Sequence, residues 1–413
     1  MIIKEFLLNT HIYFLKKFYP YYTKKRMAEI RKKDKINVMF ILAELSIWKT
    51  ESLYLSMKKH PRFNVFIGVT ESIEVPGSKP ALIEYLEKKG YAYADLDIAN
   101  RDIYDYSPDI LVYYKPYIGS YARKHIFMKH KKCPCIHINY SLSLQETNIG
   151  LNQLMCNLAW KTFAENELVK EARCKIADNK GENVVITGLP VEDELMQPKE
   201  LFSDPWKPQE CVKKRIIYAP HHSLRGTNPG SVDFSTFIEF GEYMLELAEK
   251  YKDVTQWAFK PHPTLYKKLL LLWGPEKTES YYNRWKELEN GQVELGAYMG
   301  LFKYSDAMIH DCGSFVMEYL YTNKPVMFLM HRDPLEHIKN QNQFGVKGFY
   351  AHYHGYNEKE IEQFVVNLIN GVDSMNDARL DFYNNYLIPP HGKTASQNII
   401  NAILGVEDYS GLK

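Results

Sequence analysis

Three short polar stretches hold the side chains of this chain that could do chemistry. "APHHSLRG" places His221, His222, Ser223 and Arg225 directly after an apolar run. "FKPHPTL" does the same for Lys260, His262 and Thr264, and "HDCGSF" for His310, Asp311, Cys312, Gly313 and Ser314, with Glu318 shortly after. Lysine, arginine and histidine offer N–H donors to an anion, and an imidazole with an ordinary pKa of about 6.5 can also carry a proton. Gly313 lets backbone approach a ligand, and a helix beginning at Ser314 would present unpaired N–H groups and a partial positive charge. Taken singly, each stretch has a plainer reading, with Ser314 as a helix cap and the histidines as ordinary loop residues. Three together, each at the end of an expected strand, point to a diphosphate and so to a nucleotide-linked donor.

The elements that would position them alternate between strand and helix. "INVMFIL", "FNVFIGVT", "DILVYY", "CPCIHINY", "WKTFAEN" and "ENVVITGLP" read as strands, with "IWKTESLYLSMKKH" and "PALIEYLEKKG" as helices between the first of them. A second series holds "KRIIYAP", "VTQWAFKPHP", "VELG", "AMIHD" and "KPVMFLM". Such alternation belongs to parallel sheets covered by helices, and these bind ligands beyond the carboxyl ends of their strands. Residues 191–212, polar and carrying Pro198, Pro205 and Pro208, read as a linker. The expected organisation is therefore α/β, with one Rossmann-like domain over 36–195, a second over 212–390, and a C-terminal helix and tail over 391–413. No Gly-x-Gly-x-x-Gly follows the first strand, which removes the dinucleotide fingerprint.

The 413 residues are 45% hydrophobic and 25% charged, a globular composition. Six cysteines without a C-x-x-C pair fit a reducing compartment and no structural zinc site. Residues 1–35 hold ten Lys and Arg against three acids, interleaved with Ile2, Ile3, Phe6, Leu7, Leu8, Ile12, Phe14, Leu15 and Phe18. This reads as a basic amphipathic helix for an anionic membrane surface, with no secretory cleavage site and no bilayer-spanning run. The alternative is a helix packed on the body. Positive charge confined to one segment argues against nucleic acid. Asp95-Leu96-Asp97 could hold a divalent cation but reads better as a strand edge. "HYHGY", with His352 and His354, reads as a loop and not a metal site.

The constellation resembles the CDP-glycerol glycerophosphotransferase family, the teichoic-acid primases and polymerases of GT-B fold, over most of residues 100–405. Tyr218-Ala219-Pro220-His221 resembles its Tyr-Ala-Pro-Thr, Lys260-Pro261-His262 its Arg-x-His, and His310 to Ser314 with Glu318 its Thr-Asp-Tyr-Ser-Ser turn. Thr187-Gly188-Leu189-Pro190-Val191-Glu192-Asp193 and Gly392-Lys393-Thr394-Ala395-Ser396 match two further signatures. Of an acceptor-side Trp-His-Gly only His137 is present. The resemblance implies two domains facing a cleft and transfer of glycerol phosphate, or a related polyol phosphate, from a CDP-linked donor to a hydroxyl of a membrane-linked surface polymer. It further implies His137 as general base, His262 on the leaving CMP, Lys260 beside it, and Glu318 toward the ribose. His221, His222, Arg225, Asp311, Gly313 and Ser314 would complete donor binding, without metal or cofactor, at the cytoplasmic face of the membrane. A GT-B glycosyltransferase using a nucleotide sugar for capsule, lipopolysaccharide or other surface polysaccharide, and an assembly subunit without activity, are the alternatives.

Overall fold

The computed structural model describes residues 2–98, 102–224, 235–296, 298–331 and 333–406. Arg225 lies outside them. Two compact units emerge, one of Met1–Glu194, Asn340–Phe344 and Tyr386–Lys413, the other of Leu195–Lys339 and Gly345–Asn385.

The first unit is built on a seven-stranded sheet of β1 (Ile36–Leu42), β2 (Phe63–Val69), β3 (Ala94–Asp95), β4 (Ile110–Tyr113), β5 (Cys135–Ile138), β6 (Lys161–Ala164) and β7 (Val184–Ile186). Its order is β3-β2-β1-β4-β5-β6-β7, parallel throughout. Every residue of β4 and β5 is buried. Both faces of these strands are covered, which is why they read as continuous apolar runs and not as alternation. The second unit repeats the scheme with β8 (Lys214–Ala219), β9 (Thr255–Phe259), β10 (Gly291–Val293), β11 (Ala307–His310), β12 (Val326–Leu329) and β13 (Tyr353–Gly355), ordered β10-β9-β8-β11-β12-β13. β13 corrects the loop expected at "HYHGY". It pairs with β12, and His352 beside it is buried with Nδ1 bonded to Gly348 O at 2.8 Å.

The helix α1 (Ile2–Ile30) opens the first unit. Tyr19, Thr23, Met27 and Ile30 are buried at helical spacing, while Phe14, Phe18 and Tyr21 are 52%, 56% and 75% exposed. The carboxyl half of the helix is thus packed on the body, as one of the two expectations had it, and a second, aromatic face remains outside. Among the described residues no helix is long and apolar enough to cross a membrane.

The C-terminal helix Ala395–Leu404 is not a separate tail. Asp193 accepts from the N–H groups of Ala395 at 2.7 Å and Ser396 at 3.0 Å, and Asn398 donates to Thr187 O at 3.2 Å. A carboxylate on the first N–H groups of a helix satisfies orphan donors and meets the positive end of its dipole. The two signatures around Gly188 and Thr394 are therefore halves of one structural latch. Many of the 31 tyrosines are also structural. Tyr113, Tyr114, Tyr281 and Tyr319 are fully buried, and each hydroxyl has a hydrogen-bond partner.

Candidate active site

In the six-stranded sheet the strand order reverses between β8 and β11, and ligands of open parallel sheets sit beyond the carboxyl ends of strands at such a switch point. Residues 220–223 leave β8 there, 311–314 leave β11, and 260–264 leave the neighbouring β9. These are the three polar stretches. Backbone bonds lace the first to the last: Lys260 N donates to Tyr218 O at 2.8 Å and His262 N to Pro220 O at 3.0 Å.

Asp311 braces the arrangement from below. It is fully buried, and its carboxylate accepts from His221 N at 2.5 Å, Thr236 N at 2.6 Å and Thr236 Oγ1 at 2.9 Å. Burial pushes its pKa up to about 6, against the pull of those hydrogen bonds. Thr236 precedes the helix Phe237–Lys250, so one carboxylate fixes both the His221 turn and the start of that helix. This corrects the expectation that Asp311 binds the donor. Its oxygens face the protein, and it positions His221.

The imidazoles of His221, His222 and His262 form a cluster, with ring centroids 4.3 Å apart for His221 and His222, 4.2 Å for His222 and His262, and 5.1 Å for His221 and His262. Burial, followed by the charges of the neighbouring imidazoles and of a nearby lysine, pushes the pKa of His221 down to about 3 and that of His262 to about 4. His222 is lowered by burial and by Lys268. At neutral pH the cluster is therefore uncharged. Its tautomers are partly fixed. Thr264 N donates to His262 Nδ1 at 3.1 Å and Ser223 N to His221 Nδ1 at 3.2 Å. A neutral ring whose Nδ1 accepts must carry its proton on Nε2. His221 and His262 are thereby set as Nε2–H donors. His222 has no such tether, and its buried Nδ1 has no hydrogen-bond partner among the described residues.

One nitrogen from each ring lies within 4.8 Å of the others, a spacing that could suit a metal ion. The tethers argue otherwise. Metal-bound histidine normally donates its second ring N–H to an acceptor, whereas Ser223 and Thr264 present donors to that second nitrogen. The set fits an anion better than a cation. Lys260 strengthens the case. It is 7% exposed, its ammonium makes no hydrogen bond or ion pair among the described residues, and burial lowers its pKa. Lys268, which sequence reading passed over, adds positive potential to all three rings. The signal was available, because it lies one helical turn beyond Thr264 in the helix Leu265–Trp273.

The rest of the expected set is less engaged. Ser314 is exposed, makes no side-chain cap, and has its hydroxyl 3.4 Å from Cys312 Sγ, with Gly313 half-buried beside it. The helix Phe315–Glu318 is only one turn long, too short for an appreciable dipole, so attraction of an anion falls to the side chains. Glu318 is buried within it.

His137 is corrected as well. It lies in β5, 1% exposed, with Nε2 donating to Tyr114 O at 3.0 Å and Nδ1 3.6 Å from Cys156 Sγ. Burial, then the charge of Arg173, pushes its pKa down to about 3. Both nitrogens are engaged inside the sheet, which is the geometry of a packed histidine and not of a general base. The Asp95-Leu96-Asp97 pair is occupied by Lys79, at 2.6 Å from Asp95 and 3.0 Å from Asp97, so an ammonium stands where a cation would.

A profile of the CDP-Glycerol:Poly(glycerophosphate) glycerophosphotransferase family matches residues 120–405. A search of curated proteins returns no match. Similar solved structures include S. aureus MnaA with UDP (17% identity over 89% of this chain and 96% of that one, TM-score 0.58). UDP-GlcNAc 2-epimerase from Neisseria meningitidis is 18% identical over 90% and 100%, with TM-score 0.57. The wall teichoic acid polymerase TagF is 18% identical over 98% and 95%, with TM-score 0.56. At such identities the likeness establishes the fold, two parallel-sheet domains of the GT-B kind.

Proposed function

Because the chain belongs to the CDP-glycerol:poly(glycerophosphate) glycerophosphotransferase family, and is a transferase of that kind, we propose that its donor is CDP-glycerol or a related CDP-linked polyol. The acceptor is a hydroxyl of a membrane-linked surface polymer. The acceptor oxygen attacks the β-phosphorus, the bond from that phosphorus to the bridging oxygen breaks, and CMP leaves with the electron pair. His221 and His262 donate their Nε2–H groups to diphosphate oxygens, and Lys260 supplies the charge that the neutral rings lack. Preorganised donors of this kind stabilise charge that grows on the leaving group. His222, whose ring is untethered and neutral, is the group able to take the acceptor's proton.

The observation that carries this reading is the buried Lys260, whose ammonium has no ion pair among the described residues, beside three neutral imidazoles at the sheet's switch point. The exposed Phe14, Phe18 and Tyr21 of α1, together with its lysines, support peripheral attachment to an anionic membrane, where aromatic rings favour the headgroup level. Calorimetric titration tests the donor. CDP-glycerol should bind the wild-type protein, and UDP-GlcNAc should bind at least tenfold more weakly. The reverse order would favour a nucleotide-sugar transferase.

A further inference from the structure

The first unit carries a cluster of cations that the donor site does not use. All strands of its sheet are parallel, so their amino ends share the edge opposite to the ligand-binding one. β6 begins there with Lys161, directly after Trp160. The Arg31 guanidinium lies 5.4 Å from the Trp160 ring centroid, and the Lys161 ammonium 6.0 Å from it. Lys24 of α1 and Lys170 of the helix Glu167–Ile176 lie within electrostatic reach of Lys161. Trp160, Arg31, Lys161 and Lys170 are half-buried, and Lys24 is exposed.

No carboxylate among the described residues pairs with any of the four cations. Arg31 donates to Ile403 O at 2.8 Å and Ala402 O at 2.9 Å, which fixes its guanidinium and leaves its charge without a counter-ion. The ammonium groups of Lys24, Lys161 and Lys170 make no hydrogen bond among the described residues, and the Trp160 indole N–H has no acceptor there. Burial, then the charges of Arg31, Lys170 and Lys24, push the Lys161 pKa down. Like charges gathered in a half-buried place repel one another, and an anion among them removes that cost.

The cations continue along α1. Lys17 and Lys24 are seven residues apart, about two turns, and so share one side of the helix. Arg31 follows after seven more, with its N–H still donating to Met27 O. Phe14 and Tyr21, both exposed, precede Lys17 and Lys24 by three residues and therefore border that side. Cations bordered by exposed aromatic rings match the headgroup level of an anionic bilayer.

We propose that Lys24, Arg31, Lys161, Lys170 and Trp160 bind the phosphate group of an anionic membrane lipid. The inference rests on the membrane attachment proposed above and gives it a defined site. The lysine ammonium groups and the indole N–H donate to phosphate oxygens, and Arg31 adds charge held in place by its two carbonyl partners. A zwitterionic headgroup would bring its own ammonium among these cations, so the site selects lipids of net negative charge.

The test is a lysine-acetylation footprint of the full chain, read by mass spectrometry, with sedimentation of the same samples. Phosphatidylglycerol vesicles should protect Lys24, Lys161 and Lys170 at least fivefold, and phosphatidylcholine vesicles should protect them less than twofold. Inorganic phosphate at the same phosphate concentration should not protect them; equal protection would make this a site for free phosphate and overturn the lipid assignment. Lys161→Gln combined with Lys170→Gln should weaken binding to phosphatidylglycerol vesicles at least tenfold, because each lysine at an anionic surface is worth about fivefold. Lys161→Arg combined with Lys170→Arg should retain it. Undiminished binding by the glutamine variant with an unchanged thermal transition overturns the site. Glu407 and Asp408, which lie outside the described residues, are the competing anions within the chain. If Glu407→Gln with Asp408→Asn exposes Lys161 to acetylation and vesicles add no protection to the wild type, the chain fills its own cluster and the proposal falls. The wild-type footprint decides by itself, so misfolding of a variant does not rescue the proposal. A wild type that fails to sediment with phosphatidylglycerol refutes membrane attachment itself, whereas sedimentation without protection of these lysines removes only the site.

Discussion

His222 and His262 lie 4.2 Å apart by ring centroid yet are held differently, and the difference assigns them different work. His262 is fixed as an Nε2–H donor, so His262→Ala should weaken CDP-glycerol binding and slow turnover together, because a donor on the diphosphate acts in ground and transition states alike. His222→Ala should leave donor affinity within a few-fold and lower kcat by roughly 10²–10⁴-fold, the usual worth of general-base catalysis. Calorimetry and steady-state kinetics on the two variants separate these outcomes, and an exchange of the two phenotypes would exchange the roles. Asp311→Ala should act through structure. It strands buried donors at His221 N and Thr236 N, at roughly 1–3 kcal/mol each, read by chemical denaturation. The cluster was legible in the sequence as residue types following strands. The orientation of Asp311 was not, because a carboxylate at a strand end faces ligand or backbone according to which turn passes it. His137 misled for a similar reason. A histidine near a strand end looks available until the strand proves to be central in the sheet and buried on both faces.

Among the elements, the latch between Asp193 and the helix Ala395–Leu404 makes a sharp prediction. Asp193→Ala removes the acceptor of two helix-start N–H groups and should cost about 1–2 kcal/mol in denaturant unfolding. Gly188→Ala should be worse. Gly188 has φ +75°, and an added Cβ would lie 2.6 Å from Glu192 Oε2 and 3.1 Å from Ala395 Cβ. The helix α1 is tested by substitution and not by truncation, since Tyr19, Met27 and Ile30 are buried. Phe14→Ser combined with Phe18→Ser should leave the thermal transition unchanged and reduce sedimentation with phosphatidylglycerol vesicles at least fivefold. Equal sedimentation would refute membrane attachment through that face. Most strands of both sheets were readable because parallel strands buried on both faces are continuous apolar runs, although β10 meets the expected "VELG" only at Val293. β3, with two residues, and β13, with three, are too short to carry such a signal.

Across the whole molecule, several histidines are buried neutral, with pKa values held near 3 for His137, His221 and His310 and near 4 for His262. Unfolded, each would titrate near 6.5, so below that pH the unfolded state binds more protons and folding stability falls as pH drops from about 6.5 toward 4. Asp311, raised to about 6, works in the opposite direction between roughly 6 and 4, as do Glu165 and Asp193, also raised by burial, but the lowered histidines, which include His125, His130, His222, His352 and His354 as well, outnumber them. Denaturation midpoints should therefore be lower at pH 5 than at pH 7, and an unchanged midpoint would show that these imidazoles are not buried in solution. The two parallel sheets followed from the alternation of strands and helices, but their strand orders, and with them the switch points, did not, nor did the return of the last helix to the first unit, because it depends on a carboxylate two hundred residues earlier. The account's central claim is phosphotransfer at the His221, His222, His262 and Lys260 site. Its most direct measurement is phosphorus NMR of the purified protein incubated with CDP-glycerol and a membrane-lipid extract as acceptor. The account predicts equal rates of CMP release and of growth of a new phosphodiester resonance, both abolished in His262→Ala. No CMP from CDP-glycerol, with UDP released from UDP-GlcNAc under the same conditions, would contradict it.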